Sequence, residues 1–180
     1  VNRREVLRIL GGAAAVPALA PFPPEARLAI GRALHDRAAG RPLRTLNPRQ
    51  HALLSRIADI IIPETDTPGA AAVGVDAFID QLLTDWYEPA DRDRLLAGLE
   101  DIDWRSRQVH GVAFGELAAS DQALLLESLD GRRGAPGSAE HAVRTLKDLT
   151  VYGYFTSEVV MRDVLRHPVI PGRHDGCIPA

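Results

Sequence analysis

Apolar residues that recur every three or four positions, in runs cut short by proline, constrain this chain more than any other feature of its sequence. Leu53, Leu54, Ile57, Ala58 and Ile61 share one face of a helix that Asn47 caps, Pro48 opens and Pro63 stops. Phe78, Ile79, Leu82, Leu83 and Trp86 repeat the spacing between Asp76 and Trp86, and Leu95, Leu96, Leu99 and Ile102 repeat it in a helix that starts near Pro89. Val112, Phe114 and Leu117 then lead to Ser120, which reads as the cap of a short helix ending at Leu129. Gly131-Arg132-Arg133-Gly134-Ala135-Pro136-Gly137 breaks the pattern. Beyond it, Ser138 is expected to cap the longest helix, Ala139 to Arg166, with Val143, Leu146, Leu149, Gly153, Val160 and Val164 in one stripe. A glycine inside a helix costs about 1 kcal/mol against alanine, so Gly153 implies a backbone passing close by. Strand alternation nowhere exceeds three or four residues, and there are no repeats or heptads. The expected fold is all-α: a small irregular helical bundle with an extended N-terminal lead-in and a C-terminal docking tail.

At 180 residues the chain is one domain's worth, and 46% hydrophobic with 25% charged residues lets it build a core and stay in solution. Four Phe, three Tyr and two Trp are few, so Leu, Ile, Val and Ala carry the packing. A net charge of −3 and a pI near 6.1 exclude the basic face of a nucleic-acid binder. A single cysteine excludes an internal disulfide framework and a cysteine-rich zinc site.

Residues 1–20 stand apart. Arg3, Arg4 and Arg8 against Glu5 make them +2, which leaves −5 for residues 21–180. A short apolar run from Ile9 and the small residues Ala18-Leu19-Ala20 follow, the layout of a secretory signal. That run covers 12 residues, where a membrane-spanning helix needs about 20. Asn2-Arg3-Arg4-Glu5-Val6-Leu7-Arg8 resembles the twin-arginine export motif, with Arg3 and Arg4 as its pair, so a periplasmic protein is expected. Pro21 directly after Ala20 is poorly suited to cleavage there. Residues 21–46 read as a partly ordered lead-in, in which Glu25 to Ala39 forms a helix with Pro24 at its first position. Residues 47–167 form the helical domain and residues 168–180, rich in proline and glycine, an irregular tail that lies along a surface.

Chemistry-bearing patterns are sparse. His35, His51, His110, His141, His167 and His174 include no pair four residues apart; only His167 and His174 flank a turn across which they could meet, with Asp175 as a third ligand, and surface histidines are the ordinary reading. The nucleophile elbow, the dinucleotide glycines and the phosphate loop are all missing from the sequence. Asp91, Asp93, Asp101 and Asp103 among Arg92, Arg94 and Arg105 read as a solvated, salt-bridged face. Cys177, alone in an exported chain, leaves three readings: a disulfide to another chain, a free packed thiol, or a reactive group. No catalytic, cofactor-binding or metal-binding residue emerges, and a stand-alone periplasmic metal- or ligand-binding helical protein remains the alternative to an interaction subunit.

The run Leu53 to Ala70, which contains Ile61-Ile62-Pro63-Glu64-Thr65-Asp66-Thr67-Pro68-Gly69, resembles the gluconate 2-dehydrogenase subunit 3 family. So do Val75-Asp76-Ala77-Phe78-Ile79-Asp80, Tyr152-Gly153-Tyr154-Phe155-Thr156-Ser157-Glu158 and the tail Pro171-Gly172-Arg173-His174-Asp175-Gly176-Cys177, although many relatives carry an aromatic residue where Arg173 stands. The resemblance implies a small subunit without a cofactor of its own in a periplasmic, membrane-associated dehydrogenase. Its large partner is a flavoprotein of the glucose-methanol-choline type that holds FAD, with an iron-sulfur cluster as a further candidate, and oxidises a sugar, polyol or sugar acid. A membrane-bound multi-haem cytochrome c carrying haem c often completes such complexes. The small subunit serves as the flavoprotein's escort through the twin-arginine translocase and as its stabiliser. Interface candidates are Thr65, Asp66, Thr67, Pro68 and Gly69 in the loop, Tyr152, Tyr154 and Phe155 near the end of the last helix, and Ile170, Pro171, Gly172 and Ile178 in the tail. For Tyr152 and Phe155 a place in the helical core is the competing reading.

Overall fold

The computed structural model describes residues 21–166. Six α-helices make up most of that span: α1 (Pro24–Ala38), α2 (Pro48–Ile61), α3 (Val75–Asp85), α4 (Pro89–His110), α5 (Ala119–Leu129) and α6 (Ala139–Thr156). Short 3-10 turns at Ala71–Val73 and Phe114–Glu116 and one π-helical turn at Val160–Val164 connect or extend them, and no strand occurs among the described residues. The all-α bundle expected from periodicity is the fold observed.

The middle of the bundle is α3. Its apolar face, Val75, Phe78, Ile79, Leu82 and Leu83, is fully buried, while Asp76, Asp80 and Asp85 hold neighbouring groups from its polar side. Packed around it are α1, α2 and α6, while α4 lies along α6 on the far side. Glycines set the closest approaches. A Cβ at Gly98 of α4 would come within 2.6 Å of the Ala142 Cβ and 2.8 Å of the Ser138 carbonyl oxygen, so the α4–α6 crossing requires glycine there. Gly153 has a different reason from the one its sequence implied. The nearest atoms are those of the Phe78 ring, not a backbone, and a Cβ would sit 2.8 Å from the ring.

Four local expectations shift. The helix drawn from Ala139 to Arg166 ends at Thr156, because the Ser157 hydroxyl donates to the Tyr154 carbonyl at 2.9 Å and the backbone at Ser157 turns extended (φ −68°, ψ 144°). With that break α4, at 22 residues, is the longest helix. Ser120 does not cap α5, which begins at Ala119 after Ala118 with no side-chain cap. The third and largest shift concerns the lead-in. As the proline at its start suggested, α1 is helical, but its Leu34 and Ala38 are buried in the common core. The Tyr152 hydroxyl donates to the Arg27 carbonyl at 2.5 Å, and a Cβ at Gly31 would clash with Thr156 at 2.5 Å. The packed body therefore takes in residues upstream of Asn47. Fourth, Asp103 leaves the solvated face to which the sequence assigned it: it is 7% exposed and faces inward. The rest of that face behaves as expected, with ion pairs Arg94–Asp91, Arg92–Asp93 and Arg105–Asp101.

The extended stretch between α1 and α2 is fastened by one buried carboxylate. Asp80 of α3 accepts from the backbone N–H groups of Arg44 (2.8 Å), Thr45 (3.0 Å) and Leu46 (2.7 Å). Immediately after it, Asn47 and Gln50 form a reciprocal capping box that starts α2.

Candidate functional site

Two regions of the described surface stand out as candidate sites. One is the loop after α2. Pro63 cannot continue the helix, and the chain closes on itself through Ala70 N–H donating to the Ile62 carbonyl at 3.0 Å. Thr65 N–H donates to the Thr67 carbonyl at 3.0 Å, and the Thr65 hydroxyl reaches Asp66 Oδ1 at 3.0 Å. Asp59 of α2 accepts from Ala71 N–H at 2.8 Å, and a Cβ on Gly69 would come within 3.0 Å of Glu64 N, which explains the glycine. Thr65 and Asp66 form the exposed tip, Thr67 and Pro68 are half-buried and Gly69 is buried.

The aromatic candidates sit behind this loop. The Tyr154 side chain is buried and its hydroxyl donates to the Pro68 carbonyl at 2.9 Å, which fixes the loop to α6. Tyr152 is wholly enclosed by the chain's own helices, edge-on to Phe78 with ring centroids 5.5 Å apart, and burial raises its hydroxyl pKa. Phe155 is half-buried and packs edge-on against Tyr154 at 5.4 Å. The structure thus brings Tyr154, Phe155 and the Thr65–Gly69 loop together and leaves Tyr152 apart from them, in the core. Arg3 and Arg4, together with Ile170, Pro171, Gly172, Cys177 and Ile178, lie outside the described residues.

The histidines are dispersed. His51 pairs with Asp76 at 2.9 Å, His110 is exposed at the end of α4, and His141 lies near Arg144. His35 stacks on Phe78 at 4.6 Å with its Nε2 2.7 Å from the Gly153 carbonyl, so Nε2 carries the proton. Burial holds the His35 pKa below the usual value, against the opposing pull of that hydrogen bond. Among the described residues no three metal-ligating side chains converge, and His167, His174 and Asp175 lie outside them.

The second region is one that sequence reading passed over. Between the first turn of α2 and the middle of α4 runs a cleft of about 430 Å³, with Leu53 and Leu99 in its floor. Trp104 stands at its edge, 57% exposed. Asp103 lies in the cleft, and its Oδ2 receives Arg107 Nε at 3.2 Å as well as the Arg49 guanidinium. The other oxygen of Asp103 accepts from Phe114 N–H at 3.0 Å. Burial opposes ionisation of Asp103, but the Phe114 N–H and the two guanidiniums outweigh it and hold the pKa below the carboxylate norm. A signal was available in the sequence. On the phase set by Leu99 and Ile102, Trp104 falls roughly 200° round the helix from Ile102, on the outside.

The fold and these surfaces define a small all-helical module whose aromatic segment Tyr152–Phe155 serves the core through Tyr152 and positions a loop through Tyr154. The chain belongs to the gluconate 2-dehydrogenase subunit 3 family, whose model matches residues 48–172. It is accordingly an accessory subunit of a dehydrogenase complex. Neither a curated protein nor a solved structure matches it. The matched span opens at α2, so α1 lies outside it although α1 packs into the same core. No helix among the described residues is long and apolar enough to cross a membrane.

Proposed function

We propose that this chain is the non-catalytic small subunit of a periplasmic FAD-dependent dehydrogenase of the glucose-methanol-choline type, acting on a sugar, polyol or sugar acid. In this reading it carries the export signal that its flavoprotein partner lacks, escorts that partner through the twin-arginine translocase and stabilises it afterwards. A multi-haem cytochrome c receives the electrons, and Cys177 forms a disulfide to a partner chain. The observation that carries the reading is the family match over residues 48–172. The paired Arg3 and Arg4 ahead of a short apolar run supply the export arm. The loop tip at Thr65 and Asp66, backed by Tyr154 and Phe155, is a surface available to the partner.

The escort role is tested with Arg3→Lys combined with Arg4→Lys in cells that make both subunits. Both chains are expected to remain in the cytoplasm. Undisturbed export of the flavoprotein would refute it. For Cys177, a complex run on non-reducing gels is expected to show a linked band that reductant resolves; a monomer band indifferent to reductant counts against the bridge.

A further inference from the structure

The α2–α4 cleft combines features that the rest of the described surface lacks. Tryptophan is usually well buried, yet Trp104 leaves 57% of its surface open and is the largest of the exposed apolar side chains. Beside it stand two guanidiniums that share a single oxygen, Oδ2 of Asp103. Side-chain exposures of 71% for Arg49 and 49% for Arg107 leave their other N–H donors facing outward. Two cations on one internal anion form a rim that wants a further carboxylate, and a guanidinium fork presents the geometry to take it. Glu100 also lines the cleft and is exposed; among the described residues it holds neither arginine.

What occupies such a cleft follows from which polar groups are free. Asn47 and Gln50 have their side-chain oxygens committed to each other's backbone N–H groups in the capping box. Asp103 is spent on three donors. A small polar molecule such as a sugar acid needs several convergent donors and acceptors to be oriented, and the oxygens of Asn47, Gln50 and Asp103 that would accept from its hydroxyls are committed internally. The free elements are an indole, an apolar floor at Leu53 and Leu99, outward guanidinium donors and, as the one uncommitted carboxylate among the described lining residues, the exposed Glu100. Trp and Arg are also the residue types that dominate the energetics of protein interfaces.

We propose that the α2–α4 cleft is a docking site for a protruding loop of the dehydrogenase subunit, one that carries a carboxylate next to a large apolar side chain. The apolar side chain enters over Leu53 and Leu99 against Trp104, and the carboxylate bridges Arg49 and Arg107. This rests on the reading of the chain as the small subunit of a flavoprotein complex, and adds a contact separate from the Thr65–Gly69 loop.

The test is co-expression of this chain with the flavoprotein, followed by purification of the complex and titration of affinity for each variant. Trp104→Ala is expected to loosen the complex about 30-fold or more, the scale of an interface hot spot. Arg49→Gln is expected to loosen it roughly tenfold, while Arg107 and Phe114 N–H still hold Asp103. Trp104→Phe, which keeps an apolar ring, is expected to restore most of the loss. Leu124→Ala, at an equally exposed position on α5, is expected to change nothing. Trp104 is exposed, so thermal melting of Trp104→Ala should stay close to the parent, and this variant separates binding from folding. Arg49→Gln also removes one partner of the buried Asp103, so a lower melting temperature is expected there. If both bind as the parent does, the cleft is not the docking site and the subunit reading stands. If the parent chain itself does not associate with the flavoprotein, the subunit reading falls and this proposal with it. Saturable binding of gluconate or acetate by the isolated chain, abolished by Arg49→Gln, would overturn the proposal in favour of a small-acid pocket.

Discussion

Asp80 offers the most direct measurement of what holds the N-terminal part of this chain in place. Its carboxylate is 4% exposed and takes three successive backbone N–H groups from residues 44–46. In Asp80→Ala the Leu46 N–H, which is buried, loses its acceptor and keeps its desolvation penalty, about 1–3 kcal/mol. The Arg44 and Thr45 groups are partly buried and can recover water, so each loses about 0.5–1.5 kcal/mol. The sum is roughly 2–6 kcal/mol, a large part of the 5–15 kcal/mol typical of a domain. At about 2–4 °C per kcal/mol for a chain of this size, melting falls by roughly 4–24 °C. Asp80→Asn separates acceptor chemistry from bulk. Oδ1 takes two of the three donors and an amide oxygen replaces it, so only the Arg44 contact at Oδ2 is lost, for about 1–2 kcal/mol. Urea unfolding followed by circular dichroism reads both. An alanine variant within about 1 kcal/mol of the parent, or an asparagine variant as damaging as alanine, would refute the clamp.

Three further outcomes follow from the same contacts. Gly153→Ala gains about 1 kcal/mol of helix propensity but drives a methyl into the Phe78 ring, at a cost of about 1–3 kcal/mol, so denaturant unfolding should show net destabilisation or none, and never a clear gain. Tyr154→Phe removes the hydroxyl that holds Pro68, so limited proteolysis should cut the loop of residues 63–69 faster while global stability falls by only about 1 kcal/mol. The fork of Arg105 on Glu140 holds that carboxyl down to about 2, below its unfolded value. Because the folded pKa is depressed, the stabilisation is fully present above the unfolded pKa and is lost as pH falls toward about 2. Acid titration of stability should therefore be flatter in Glu140→Gln than in the parent over that window, and an identical slope would contradict it.

Much of the bundle is legible because its signals are local. The cap at Asn47, the stop at Pro63 and the apolar stripes of α2, α3 and α4 depend on residues within one helix, and the observed helices keep those positions. Misread features depend on residues far away in sequence. Gly153 answers to Phe78, across 75 positions. Asp103 looks like one more charge on a polar helix until Phe114 N–H and Arg49 are brought to it by the fold. α1 has a weak apolar pattern because its packing uses Gly31, Leu34 and Ala38, along with a half-buried His35, and no regular stripe of large residues. Among the interface candidates, the motif did not distinguish Tyr152, which faces inward, from the exposed tip at Thr65 and Asp66.

One device recurs through the molecule and explains how so irregular a set of connections is kept in place. Asp80 of α3 binds the N–H groups of residues 44–46, Asp59 of α2 binds Ala71, and two aspartates of α4 bind Phe114 and Ala139. In each case a carboxylate on a rigid helix receives the backbone of a neighbouring connection, and a charged acceptor makes a stronger bond than a neutral one. A connection held by its amides needs no particular side chains of its own. Its outward residues are then free to serve a partner, as Thr65 and Asp66 are, while the bundle beneath stays unchanged. The same logic places Arg49 and Arg107 on the open side of Asp103: the inner oxygen fixes the chain at Phe114, and the outer one leaves two guanidiniums at the surface.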